Sequence, residues 1–178
     1  MARNVEIKAR VESMVALEQK VLAVATHGPT LLQQTDTFFI AQHGRLKLRE
    51  FADGSAELIA YSRADQSGPK LSDYERVAVH DAPGLIRTLA RSNGVAQQVR
   101  KTRTLYLAGQ TRIHLDRVED LGDFIELEVV LGEGESLEHG QRIAQELMQT
   151  LGIAPDQLVT HAYADLLEAK HKDSTTTS

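Results

Sequence analysis

Aliphatic and ionisable residues alternate one for one in several stretches of this chain. Val5–Val11 carries Glu6, Lys8 and Arg10 at every second position, and Arg45–Arg49 carries Arg45, Lys47 and Arg49. Arg112–Asp116 carries Arg112, His114 and Asp116, and Phe124–Val129 carries Glu126 and Glu128. Successive side chains of a strand point to opposite faces of its sheet, so each stretch reads as one charged face backed by one aliphatic face. A plain half-buried sheet mixes Thr, Ser and Gln into its wet side. Here that side is almost wholly ionisable, with cations on some strands and anions on others, as suits a sheet whose polar face encloses a polyanion and its metal ion.

The same patterns order the elements. A first strand is expected over Asn4–Val11. Helical spacing of Met14, Leu17, Val21, Leu22 and Val24 follows, ending near Gly28. Thr35–Ile40 reads as a strand, and Asp53-Gly54 as a hairpin turn between strands at Arg45–Phe51 and Ala56–Arg63. Asp65–Lys70 is a loop by composition, and Tyr74–His80 a strand. Asp81 is an N-cap for a helix through Leu85, Ile86 and Leu89 that Gly94 ends. Strands are expected over Val99–Leu107, Gln110–Val118 and Asp123–Leu131. A helix from Ser136 to Leu151 comes next, then a last helix from Pro155 through Leu158, Tyr163 and Leu166. About eight strands in antiparallel hairpins, with helices between and after them, give an α+β class whose sheet curls toward a barrel. Residues 1–172 are expected to form a single domain, with the polar run 173–178 a disordered tail.

Composition narrows the function. The 178 residues carry a net charge of −5 with 4% aromatics, which argues against a general nucleic-acid binder, since such proteins present basic surfaces and stacking aromatics. The cations are nevertheless clustered in sequence, so a local positive pocket for a small anion is expected. No cysteine is present and no apolar run resembles a signal peptide or a membrane span. A cytoplasmic protein without membrane or nucleic-acid partners is the expectation. A homodimer is admitted only as the commonest form of assembly.

The opening Asn4-Val5-Glu6-Ile7-Lys8-Ala9-Arg10 resembles the E-x-E-x-K signature of the CYTH family, the triphosphate tunnel metalloenzymes. The run Arg112–Glu128, with Leu121-Gly122-Asp123-Phe124-Ile125-Glu126-Leu127-Glu128 at its end, is similar to the family's C-terminal strand pair. The basic strand Arg45–Arg49 and the pair Lys101 and Arg103 stand in the family's order. The resemblance spans Arg3 to Lys170. It implies a closed eight-stranded antiparallel β-barrel with flanking helices, binding a triphosphate and a divalent metal. Asn4-x-Glu6-Ile7-Lys8-Ala9-Arg10 and the loop Gly68–Tyr74 are most similar to the class IV adenylyl cyclase-like subgroup.

On that resemblance Arg10, Arg45, Lys47, Arg49, Arg63, Lys101, Arg103 and Arg112 are candidate triphosphate ligands. Arginine suits the task because its planar fork donates two parallel hydrogen bonds to phosphate oxygens. Lys47, Arg49, Lys101, Arg103 and Arg112 are preferred, since not all can face one ligand. The bland alternative is a solvated sheet face with cross-strand ion pairs. Glu57 shares a face with Ile59, Tyr61 and Arg63, and either positions Arg63 or a ligand hydroxyl, or forms a plain ion pair. Glu6, Glu126 and Glu128 are the candidate ligands of Mg2+ or Mn2+, which take hard oxygen donors. Glu6, Lys8 and Asp116 are the candidate catalytic groups, with metal support or the holding of an arginine as further roles for Asp116. His114 is expected to be structural, with support of a neighbouring group or an acid/base role as the second reading. His27, His43, His80, His139, His161 and His171 read as surface residues.

The sequence departs from the family pattern at Asn4, where a glutamate is expected. An amide oxygen can ligate a hard cation but brings no charge. Three functions stay open: cyclisation of ATP to cyclic AMP and pyrophosphate; hydrolysis of tripolyphosphate, thiamine triphosphate or a nucleotide; and a non-catalytic nucleotide or polyphosphate binder.

Overall fold

In the computed structural model, residues 2–64, 66 and 68–176 are described. Eight strands close into one antiparallel barrel in the order β1-β5-β4-β3-β2-β6-β7-β8. They are β1 (Ala2–Arg10), β2 (His27–Phe39), β3 (Arg45–Phe51), β4 (Ala56–Arg63), β5 (Lys70–Val79), β6 (Val95–Ala108), β7 (Thr111–Val118) and β8 (Gly122–Leu131). Pairing of β1 with β8, Glu6 opposite Glu128 and Lys8 opposite Glu126, closes the ring. Helix α1 (Met14–Val24) joins β1 to β2, and α2 (Ala82–Ser92) joins β5 to β6. Helices α3 (Leu137–Leu151) and α4 (Tyr163–Thr176) follow β8. Ser13, Asp81 and Ser136 cap the first three helices, their side-chain oxygens accepting from the N–H groups of Ala16, Gly84 and His139.

Most of the hydrophobic core lies outside the barrel. The aliphatic faces of β1, β7 and β8 (Val5, Ile7, Ile113, Leu115, Ile125, Leu127 and Val129) turn outward and are covered by Met14, Leu17 and Val21 of α1 and Ala144 and Leu151 of α3. Each such side chain contributes about 1.5–3 kcal/mol by leaving water. Gly140 lets α3 approach: a Cβ there would lie 2.7 Å from both Leu131 Cδ2 and Val5 Cγ2. A smaller cluster of Phe39, Leu48 and Ala56 packs under α2 through Ala82, Leu85, Ile86 and Leu89. With the apolar faces satisfied outside, the ionisable faces are left to line the interior.

Several sequence expectations need correction. β2 begins at His27 rather than Thr35, because its first half is held through β6 (Leu31 opposite Thr104, Leu32 opposite Arg103) and carries little apolar alternation. β5 begins at Lys70 rather than Tyr74, since Lys70 and Ser72 are buried against β1 despite their polarity. The last helix is broken. Pro155–Gln157 makes a single 3₁₀ turn, and then Leu158 bridges Ala9 while the Val159 N–H donates to the Lys8 carbonyl at 2.9 Å. That pairing pulls the chain out of helix until Tyr163. The run read as a disordered tail is helical as far as Thr176, with the Ser174 and Thr175 hydroxyls bonded to the carbonyls of Lys170 and His171. Thr177 and Ser178 lie outside the described residues, as do Asp65 and Ser67 of the expected loop. Among the described residues no helix is long and apolar enough to cross a membrane.

Candidate functional site

The barrel encloses a cavity of about 240 Å³. Strand alternation places Glu6 and Lys8, Lys47 and Arg49, Glu57 and Arg63, Lys101 and Arg103, Arg112, and Glu126 and Glu128 on its wall. Ala162 and Tyr163, at the start of α4, add to the lining. Formally, eight Lys and Arg side chains face five carboxylates in this lining, an excess of three positive charges.

The charges are sorted. On the β2, β3 and β6 side, Asp36 is 1% exposed and sits inside a ring of three cations. Its carboxylate accepts from Lys47 Nζ at 3.0 Å, Lys101 Nζ at 2.9 Å, and Arg49 Nε and Nη2 at 2.7 Å each. Burial by itself would raise this carboxyl, but Arg49, Lys101 and Lys47 outweigh it and hold Asp36 well below the ordinary carboxylate range. Burial pushes the Lys101 ammonium down to about 7, and burial with Arg49 nearby brings Lys47 down to about 8. The clamp therefore has more positive groups than its one carboxylate neutralises.

On the β1, β7 and β8 side the acids gather. Glu6 pairs with Arg63 at 3.3 Å, and Glu126 with Lys8 at 3.6 Å and Arg103 at 3.8 Å. Glu128 pairs with Arg112 at 3.0 Å, whose Nη2 also donates to the Tyr74 hydroxyl at 3.2 Å. Burial and the neighbouring Glu126 carboxylate push Glu128 up to about 7. Burial would raise Glu126 too, but Lys8 and Arg103 hold it well below its ordinary value. One of two adjacent carboxyls is thus easily protonated, which is what like charges do without a cation between them. Donor atoms of His114, Glu126 and Glu128 all lie within 4.8 Å of one another, so these residues fit a divalent ion. Glu6 stands across from Glu128 in register, outside this triad and engaged by Arg63.

Three expected site residues do not line the cavity. Arg10 is exposed, its guanidinium 5.1 Å from the centre of the Phe124 ring, because β1 leaves the barrel there. Arg45 forms a bidentate pair with Asp165 of α4 at 2.9 and 2.7 Å, and so ties that helix to β3. Asp116 is fully buried; Arg103 donates to both its oxygens at 2.7 Å and the Tyr163 hydroxyl to one at 2.8 Å. It braces Arg103 from behind the cavity wall. Glu57 does line the cavity and lies 3.9 Å from Arg76. The six other histidines are exposed, as expected.

Sequence reasoning missed Asp36, Tyr163 and the position of His114. Asp36 is flanked by Gln34 and Phe38 on its own face, so no charge alternation flags it. Tyr163 arrives from a helix, lying under Lys8 with the ammonium 4.1 Å from its ring centre, and only the folded chain brings the two together.

This arrangement is matched by known proteins. A family model described as the CYTH domain matches residues 2–163. The chain belongs to the CYTH domain family. A relative named adenylate cyclase CyaB, from Aeromonas hydrophila, is 31% identical over 104 residues. That match spans 57% of this chain and 53% of the relative, about half the length of each. Among solved structures, the PH1012 protein of Pyrococcus horikoshii OT3 superposes with a TM-score of 0.80 at 24% identity, covering 92% of this chain and 98% of that one. A Hippeastrum protein, an adenylyl cyclase candidate described as having a dominant triphosphatase activity, superposes with a TM-score of 0.66 at 15% identity, covering 94% and 96%. At these identities the likeness establishes the fold, a closed eight-stranded antiparallel barrel with four helices.

Proposed function

We propose that this CYTH protein is a divalent-metal-dependent enzyme that binds a nucleoside triphosphate inside its barrel and converts ATP to cyclic AMP and pyrophosphate. The observation that carries the reading is the lining charge. The lining's excess of three positive charges, lowered to two by Asp116 behind Arg103 and raised to four by one divalent ion, faces a ligand carrying about four negative charges. An aqueous surface could screen such an imbalance with salt; a walled cavity cannot, so it favours a polyanion. The volume agrees, since about 240 Å³ is below the usual range for whole drug-sized ligands and leaves the organic part to the rim beside the half-buried Tyr74 and the exposed Arg76.

Lys47, Arg49, Lys101 and Arg103 would hold the phosphates, while Glu126, Glu128 and Glu6 would serve the metal. The ion, Mg2+ or Mn2+, supplies charge neutralisation at the reacting phosphoryl group. In the cyclase reaction the ribose 3′-oxygen gives up its proton to water and bonds to the α-phosphorus, and the bond from that phosphorus to the bridging oxygen breaks, so that pyrophosphate leaves with that oxygen. The named relative from Aeromonas supports this choice. A second reading, hydrolysis at the terminal phosphorus by water, uses the same clamp and is supported by the activity described for the Hippeastrum protein.

Purified protein with Mg2+ or Mn2+ is offered ATP, tripolyphosphate and thiamine triphosphate in turn. Cyclic AMP with pyrophosphate supports the first reading and orthophosphate the second. Binding without turnover overturns both and leaves a non-catalytic binder. Glu126→Gln and Glu128→Gln should each abolish turnover with the fold retained by circular dichroism; full activity in both would sink the metal assignment.

A further inference from the structure

Resting on the metal-dependent reading above, we infer that His114 is itself a ligand of the divalent ion, making the centre a mixed nitrogen–oxygen site that prefers Mn2+ to Mg2+. His114 lies on β7 directly opposite Glu126 of β8, with Glu128 two residues further along the same strand. The ring is 4% exposed, and its Nδ1 is buried without a hydrogen-bond partner. The nearest carboxylate oxygen to that nitrogen, Glu128 Oε1, is 3.8 Å away, too far for a hydrogen bond.

A buried ring nitrogen with no partner is rare unless something else fills its place. A neutral imidazole carries a lone pair on one ring nitrogen and can offer it to a cation. The neighbours of that lone pair are two carboxylates. Donors around one ion at about 2.2 Å lie no more than about 4.4 Å apart. The triad's limit of 4.8 Å is closed by side-chain shifts of a few tenths of an ångström. A water held on Nδ1 by a second hydrogen bond is the competing occupant, and it would bring no charge to the two carboxylates. An ion answers both.

The nitrogen decides which ion. Mg2+ keeps an all-oxygen shell and dehydrates reluctantly, whereas Mn2+, a first-row transition ion, gives up water for a nitrogen donor more readily than Mg2+ does. His114 thus acts as a selectivity ligand, and Glu126 and Glu128 as the charge that any divalent ion requires.

The test is pulsed electron paramagnetic resonance of Mn2+ bound to the full chain, read as electron spin echo modulation. Directly coordinated imidazole gives a nitrogen-14 modulation, which should be present in the wild type and absent in His114→Gln. The same variant should weaken Mn2+ binding by about tenfold or more and Mg2+ binding, measured by competition, much less. Bound Mn2+ with no nitrogen modulation in the wild type, a measurement that needs no variant to fold, overturns the assignment while the metal-dependent reading stands. Modulation that persists in folded His114→Gln overturns it as well, placing the nitrogen elsewhere. A chain that binds no Mn2+ at all overturns both readings.

Discussion

ATP binding should draw protons out of solution at pH 8. Burial brings Lys101 down to about 7 and, with Arg49, Lys47 to about 8. At pH 8 the free protein then holds a proton on about one-tenth of Lys101 and about half of Lys47. A triphosphate seated between the two ammonium groups favours their charged forms, so filling both takes up about 1.4 protons per ligand bound. ATP contributes little, because the last proton of a phosphate leaves at about pH 6. The bound state holds more protons than the free state, so affinity falls as pH rises, by about 25-fold per unit around pH 8. The assay is calorimetric titration with ATP, with a chelator present to prevent turnover, in buffers of different ionisation enthalpy. The slope of apparent enthalpy against buffer enthalpy gives the proton count. Arginine remains charged throughout this range, so Lys101→Arg should cut the uptake to about 0.5. Equal uptake in wild type and variant, or none in the wild type, would refute the assignment of these lysines to the clamp.

Asp36→Asn removes the carboxylate shared by Lys47, Arg49 and Lys101, and should cost about 3–5 kcal/mol in urea unfolding at pH 7. A loss below about 1 kcal/mol would show that the three cations do not need it. In the wild type this stabilisation is complete above pH 3.8, the ordinary value of the carboxyl, and disappears as pH falls through the depressed folded value. Asn4 is 4% exposed in the cavity wall with its Oδ1 unpartnered; Asn4→Glu should lower the metal concentration for half-maximal binding, and a rise would contradict the metal-side placement of that corner. Gly140→Ala drives a methyl into Leu131 and Val5 and should destabilise by about 1–3 kcal/mol with cavity binding unchanged, as seen by thermal unfolding alongside ATP titration.

The alternation of Lys8, Arg49, Glu126 and their neighbours with aliphatic residues determined, from sequence alone, that one face of the sheet would be ionic and the other greasy. It could not say that the greasy face lies outside. That was decided when α1 and α3 covered Val5, Ile7, Ile113 and Leu127, closing the ring and turning the charges inward. Alternation also overreached. Arg10 and Arg45 have the right parity and the wrong depth, since parity fixes the face of a strand while depth depends on where the barrel ends. Asp116 has the right face too, and it sits behind the wall holding Arg103, with Tyr163 of α4, 47 residues further along the chain, bonded to the same carboxylate. Asp36, on a strand whose pattern is mute, became the centre of the cation cluster because β3 and β6 flank β2 on both sides. Sequence thus set which side chains could share a face. The long-range pairing and the helices set which of them meet, because charge clusters form between strands distant in the chain.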